Sequence, residues 1–180
     1  MGNRWLFIMG IAMSLGHHVQ ARTASAHMTG NNGSVVGEAQ LQVRENGSLL
    51  KIKMWQIPPG WHALHFHETA DCSDPEDGFL KSGGHWNSGK KEHGIANDAG
   101  FHMGDLANVY AHQLDYIQDV ENENKLQVQV EQIIPWIRLG NLTGSVVIVM
   151  HADRDDYSSD PTGNAGARIA CGVLIFNDDG

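Results

Sequence analysis

A period of two in hydrophobicity, running unbroken on both sides of an Asn-Gly turn, commits the early part of this chain to β-structure. Ala39, Leu41 and Val43 alternate with Glu38, Gln40, Gln42 and Arg44. After Glu45-Asn46-Gly47 the pattern resumes, with Leu50, Ile52 and Met54 set against Lys51, Lys53 and Trp55. Successive side chains of a strand point to opposite faces, so this alternation describes strands wet on one side and buried on the other. Asn-Gly suits the tight turn that lays a strand back beside itself, which predicts a hairpin. Pro58-Pro59-Gly60 then breaks the pattern. Further on, Leu126, Val128 and Val130 alternate with Gln127, Gln129 and Glu131, another half-buried strand. Val146 to Met150 is a continuous apolar run that predicts a strand buried on both faces. Arg168 to Phe176 reads as the last strand, and Leu106 to Val120 as one or two weaker ones, followed by an acidic turn at Asp119 to Asn124. No segment carries a convincing helical period. Many short strands between Gly/Pro turns predict an all-β sandwich or barrel.

The start of the chain predicts export. Met1-Gly2-Asn3-Arg4 is basic, Trp5 to Leu15 is apolar, and Ala24-Ser25-Ala26 has the small-x-small form of a peptidase site. The apolar run is too short for a permanent membrane span. Residues 1–26 therefore read as a secretory signal peptide, with Ala21 as the other cleavage point, and residues 27–180 as one domain of 154 residues. The whole chain has 12 basic and 21 acidic residues. Without Arg4 and Arg22 the domain keeps 10 basic residues and a formal charge of −11. That excess excludes binding to nucleic acid or an anionic membrane through bulk charge. Cys72 and Cys171, the only cysteines, fall in an exported chain, where an oxidising compartment favours a disulfide.

Trp61-His62-Ala63-Leu64-His65-Phe66-His67-Glu68 carries the chemistry. In a strand His65 and His67 project onto one face while Phe66 enters the other, and two adjacent imidazoles make half a metal site. From Thr69 to about Asp105 no period holds, and a segment of that length needs a functional explanation such as a bound ion. It contains His85, His93, His102 and Asp105, and His151 ends the buried strand. Seven donors exceed what one four-coordinate ion needs. Two ions sharing one ligand would use them all.

In this order and spacing, His65-Phe66-His67-Glu68, Gly83-Gly84-His85-Trp86-Asn87, Lys91-Glu92-His93-Gly94, Phe101-His102-Met103-Gly104-Asp105-Leu106, Val149-Met150-His151-Ala152 and Gly163-Asn164-Ala165-Gly166-Ala167-Arg168-Ile169-Ala170-Cys171-Gly172-Val173 resemble the motif set of the copper/zinc superoxide dismutases. The resemblance spans about residues 34–176. It implies an eight-stranded Greek-key β-barrel (an Ig-like sandwich) with long metal-binding and electrostatic loops. It implies copper on His65, His67, His85 and His151, zinc on His85, His93, His102 and Asp105, and His85 as the shared imidazolate. Asp155 takes the place of the family's aspartate between a copper histidine and a zinc histidine. Cys72 and Cys171 match its intrachain disulfide, and Arg168 its anion-guiding arginine.

The implied activity is dismutation of superoxide to dioxygen and hydrogen peroxide, with His85 and Arg168 as catalytic residues. The alternative is a non-catalytic extracytoplasmic copper/zinc-binding module, a buffer or carrier. It is disfavoured because every copper position and Arg168 are filled. A zinc hydrolase would need an open zinc and a nearby base, and no H-E-x-x-H motif is present. Three departures stand out. Ala63-Leu64 replaces Gly-Phe, Ser88 replaces a proline, and the loop from His151 to Arg168 is short and lacks a lysine. Lys90 and Lys91, between two zinc ligands, are candidates to supply that positive potential. The short loop and leader resemble bacterial periplasmic members, so the expected location is periplasmic or secreted. The expected partner is superoxide alone, with monomer and homodimer both open.

Overall fold

The structure is a computed structural model that describes residues 20–113, 126–142, 144 and 146–177. The leader before residue 20 and the acidic turn expected at Asp119 to Asn124 lie outside these residues. Among the described residues there are nine strands: β1 (Arg22–Gly30), β2 (Val35–Arg44), β3 (Gly47–Met54), β4 (Gly60–His62), β5 (Leu64–His67), β6 (Val109–Ala111), β7 (Val128–Ile134), β8 (Val146–His151) and β9 (Arg168–Phe176). Seven form one antiparallel sheet in the order β5-β8-β9-β1-β2-β3-β7, curled into a half-barrel, and β4 pairs with β6. The all-β class is as expected. The run from Gly60 to His67 is split at Ala63, whose N–H donates to the Asp153 carbonyl (2.7 Å) and whose carbonyl accepts from the His151 N–H (2.9 Å). One half therefore joins each sheet.

The predicted β2–β3 hairpin forms, with Arg44 opposite Gly47 and Leu41 opposite Leu50. Its inward side chains Ala39, Leu41, Val43, Leu50, Ile52 and Met54 are all buried, and they share one core with Leu64, Phe66, Ile148 and Met150. β8 is buried on both faces for a visible reason. Ile148 and Met150 face the main core, while Val147 and Val149 pack with Phe79 and Cys171 under the disulfide loop. Each such fully buried side chain contributes roughly 1.5–3 kcal/mol relative to exposure.

β1 runs across the expected leader boundary. Arg22 to Ala26 pair with Val43 to Ala39, Ala24 also pairs with Phe176, and Ala24 is fully buried. Arg22 lies 4.1 Å over the Phe176 ring. A cut after Ala26 would remove half of this central strand. Ala24-Ser25-Ala26 combines the alternating small residues of a peptidase site with a place in a strand, where Ala24 pairs with Leu41.

β5 is an edge strand, and the long loop covers it. The Phe66 N–H donates to the Gly104 carbonyl (2.8 Å), the Trp86 N–H to the Phe66 carbonyl (2.8 Å), and the Glu68 N–H to the Gly84 carbonyl (3.0 Å). Isolated bridges pair His65 with Asp105 and His67 with His85. A Cβ on Gly104 would lie 2.1 Å from the Phe66 oxygen, so no larger residue allows this approach. Edge protection thus delivers the loop's ligands beside those of β5.

Candidate metal centre

His65 and His67 leave β5 on the face opposite Leu64 and Phe66, and His151 arrives from β8, the neighbouring strand. With His85 they form a buried quartet whose ligand atoms all lie within 4.8 Å of one another. His85, His93, His102 and Asp105 form a second quartet by the same measure, so His85 belongs to both. All seven residues expected to bind metal are therefore brought together.

The second quartet is built around Asp105. Its Oδ1 lies 3.0 Å from the Nδ1 of His85, 3.0 Å from that of His93 and 3.3 Å from that of His102. Its Oδ2 accepts the N–H groups of Gly94 (2.8 Å) and His102 (3.0 Å). In the first quartet the Nε2 atoms of His67 and His151 lie 3.4 Å apart. Among the described residues, His65 Nδ1 and His85 Nε2 are buried nitrogens with no hydrogen-bond partner, and His93 Nδ1 faces Asp105 Oδ1 at 3.0 Å. Each belongs to a ring of one of the quartets, and a nitrogen without a proton partner in a dry site is a lone pair available to a cation. The donor sets, four imidazoles in one and three imidazoles with a carboxylate in the other, suit first-row cations.

The remaining ring nitrogens are held from behind. His67 Nδ1 bonds to the Gly83 carbonyl (2.9 Å) and His151 Nδ1 to the Gly166 carbonyl (3.2 Å). Asp155 joins the quartets, its Oδ2 accepting from His65 Nε2 (2.8 Å) and its Oδ1 from His93 Nε2 (2.9 Å). Such contacts fix which nitrogen faces the cation and the angle of the ring.

Burial is the main cause of the shifts. It pushes His67 down to about 2, His151 to about 3 and His85 to about 4, and it lowers His65, so these rings are neutral near pH 7. Burial also acts on His93, but hydrogen bonds to Asp105 and Asp155 outweigh it and raise His93 to about 9. The same bonds overcome burial at the acids, holding Asp155 down to about 2 and Asp105 well below the carboxylate range.

Arg168 starts β9 beside this centre, and Cys72 and Cys171 form the expected disulfide. Among the described residues Arg168 makes no strand-end ion pair. Its Nη1 donates to the Phe79 carbonyl (2.6 Å) and Ser82 Oγ (3.0 Å), and its Nη2 to the Gly83 carbonyl (2.7 Å). The Gly83 carbonyl thus touches both Arg168 and a ligand histidine. Lys90 and Lys91 are exposed.

Several supporting residues escaped the sequence reading. Asn108 clamps Asp155, its Oδ1 accepting the Asp155 N–H and its Nδ2 donating to the Asp155 carbonyl (both 2.8 Å). Asp160 accepts the His93 N–H (2.8 Å), and Tyr157 donates its own N–H to Asp155 Oδ1 (2.7 Å). Gly163 has φ +65°, and a Cβ there would lie 1.8 Å from Asp155 Oδ1. A glycine after a turn was the only available signal. A surface groove of about 630 Å³ beside β1, β2, β3 and β9 is lined by none of these residues.

A curled antiparallel sheet whose edge carries two buried ligand sets joined through one imidazole defines a two-cation β-protein. Comparison with known proteins supplies the family. The model for copper/zinc superoxide dismutase matches residues 35–174. The chain belongs to the copper/zinc superoxide dismutase family. It is 35% identical over 159 residues to superoxide dismutase [Cu-Zn] 2 of Aquifex aeolicus, covering 84% of this chain and 85% of that one. Among solved structures it is similar to the Cu/Zn superoxide dismutase from Brucella abortus, with TM-score 0.65 and 28% identity over 85% of this chain and 99% of that one. It is similar also to a superoxide dismutase-like protein from Bacillus subtilis, with TM-score 0.68 and 27% identity over 84% and 97%.

Proposed function

We propose that this protein is an exported superoxide dismutase, converting two superoxide ions and two protons to dioxygen and hydrogen peroxide. The observation that carries the reading is His85, which gives Nδ1 to the quartet around Asp105 and keeps Nε2 buried and unpartnered among the other ligands. In this reading His65, His67, His85 and His151 hold copper, and His85, His93, His102 and Asp105 hold zinc. Copper supplies a one-electron redox couple and zinc a charge without redox chemistry.

The chain's own groups do the rest. Arg168, always charged and held by three hydrogen bonds, draws and orients a small anion against the acidic surface. Whenever it is free of the cation, His85 Nε2 would hold a proton and pass it to the peroxide product, while solvent would supply the second. Asp155 keeps His65 and His93 aimed. The leader, in this reading, ends at Ala21, which leaves β1 whole. A periplasmic or secreted location follows from the leader and the disulfide.

Metal analysis of the purified protein, with superoxide consumption measured before and after chelation, tests the reading. Copper and zinc at one each per chain and activity lost on chelation are expected. A metal-loaded protein that leaves superoxide untouched would establish a metal-binding module instead. Arg168→Ala should lower the rate at low salt and flatten its salt dependence. Unchanged kinetics would remove Arg168 from the mechanism.

A further inference from the structure

Behind the cradle of Arg168 sits a buried opposite charge. Asp74 lies two residues after Cys72, and only 8% of its surface is exposed. Its carbonyl accepts the N–H groups of Asp77 (3.2 Å) and Phe79 (3.0 Å), and its Oδ2 accepts that of Lys81 (2.9 Å). Its Oδ1 is buried without a partner. The Phe79 carbonyl in turn accepts from Arg168. Carboxylate and guanidinium therefore sit on either side of one turn of chain. The disulfide to Cys171, three residues along β9 from Arg168, closes that unit into a ring. Burial lowers the Arg168 pKa and the charge on Asp74 partly offsets it, as expected for two opposite charges that feel each other through a dry layer. The Lys81 ammonium bonds to Ser73 Oγ (3.1 Å) and makes no ion pair with Asp74 among the described residues.

We infer that Asp74 is a positioning residue for anion capture, with two opposed effects. Its hydrogen bonds shape the turn whose carbonyls aim Arg168, and its buried charge weakens the pull of Arg168 on a small anion. This rests on the reading of Arg168 as the anion-guiding group. The two effects separate by substitution. Asp74→Asn keeps an acceptor for the Lys81 N–H and nearly the same volume while removing the charge.

The test uses inorganic phosphate as the probe and protein loaded with zinc in both sites. Binding is followed through the Arg168 side-chain N–H resonance. Asp74→Asn should bind phosphate about 3- to 10-fold more tightly at low ionic strength, the size expected for one charge removed at intermediate distance and dielectric. The gain should vanish above about 0.5 M salt. A purely structural role predicts unchanged or weaker binding, and either result in a normally melting Asp74→Asn protein overturns the inference. Failure of phosphate to shift the resonance in both proteins overturns it as well. If Asp74→Asn melts poorly, Asp74→Ser, neutral with an acceptor oxygen, carries the same test. Zinc-loaded protein has no redox couple, so this outcome is independent of dismutation. A wild-type protein that ignores superoxide would sink the enzymatic reading and leave the phosphate result standing.

Discussion

Replacing Asp155 by asparagine changes almost no volume, yet it should weaken both metal sites. The carboxylate accepts three donors: His65 Nε2 at 2.8 Å, His93 Nε2 at 2.9 Å and the Tyr157 N–H at 2.7 Å. An amide has one oxygen, so one of the two rings must meet an NH₂ where it now meets an acceptor. To bond there, that ring must leave Nε2 bare and carry its proton on Nδ1. In His65 that Nδ1 is buried without a partner, and in His93 it faces Asp105 Oδ1 at 3.0 Å within the second quartet. The substitution thus puts a proton on a ligand atom, and it also removes the negative charge that makes both rings better donors. Loss of such a supporting group typically costs about 10- to 100-fold in metal affinity. That corresponds to about 1.4–2.7 kcal/mol. Because the acid touches one ring of each quartet, both sites should lose. Competitive titration against chelators of known affinity, run separately with Cu(II) and Zn(II), measures this. Affinities within twofold of wild type for both ions would refute the account of Asp155 as the group that orients His65 and His93.

Other consequences follow from the same geometry. In metal-free protein, His67, His151 and His85 are held near 2, 3 and 4. Unfolded, each titrates near its ordinary value of ~6.5. Between about pH 6.5 and 4 the unfolded chain takes up protons that the folded chain refuses, so stability should fall on acidification by about 1.4 kcal/mol per pH unit for each histidine. His93, raised to about 9, acts the other way. Its contribution is complete below about pH 6.5 and is lost as the pH rises towards 9. Urea midpoints of metal-free protein should therefore peak near pH 6.5, and a flat profile from pH 4 to 9 would contradict the assigned burial. Gly163→Ala forces a Cβ to 2.6 Å from His93 Nε2 as well as onto Asp155. With about 1–2 kcal/mol for the left-handed backbone alone, Tm should drop by at least about 4 °C with weaker metal binding. An unchanged melt would show that the 155–163 loop yields freely. Replacing both Cys72 and Cys171 by serine opens a link across 99 residues of sequence. The loss should approach, at most, ~4.7 kcal/mol, and chemical denaturation that finds no loss would mean the ring around Arg168 is held by packing alone.

What could be read in the sequence is what local periodicity encodes. The β2–β3 hairpin follows from alternation and Asn-Gly, both properties of neighbouring residues. The doubly buried β8 follows from an apolar run, and the pair His65/His67 from the two-residue repeat of a strand. The ligand set as a whole was legible because seven donors had no bland explanation and matched a family's order. The leader boundary is not legible in this way, for the converse reason. Small alternating residues have the same local pattern in a cleavage site and in a packed strand, and the pairing of Ala24 with Leu41 and Phe176 is set by segments far along the chain. Likewise nothing in the sequence around Asn108 or Tyr157 marks them, since their partners are set by contacts across the fold, 47 residues apart in the case of Asn108 and Asp155. Residue type and spacing determined which atoms could bind a cation. The closing of the long loop onto the edge of β5 decided which nitrogens face inward, because direction and desolvation exist only once distant segments are packed together.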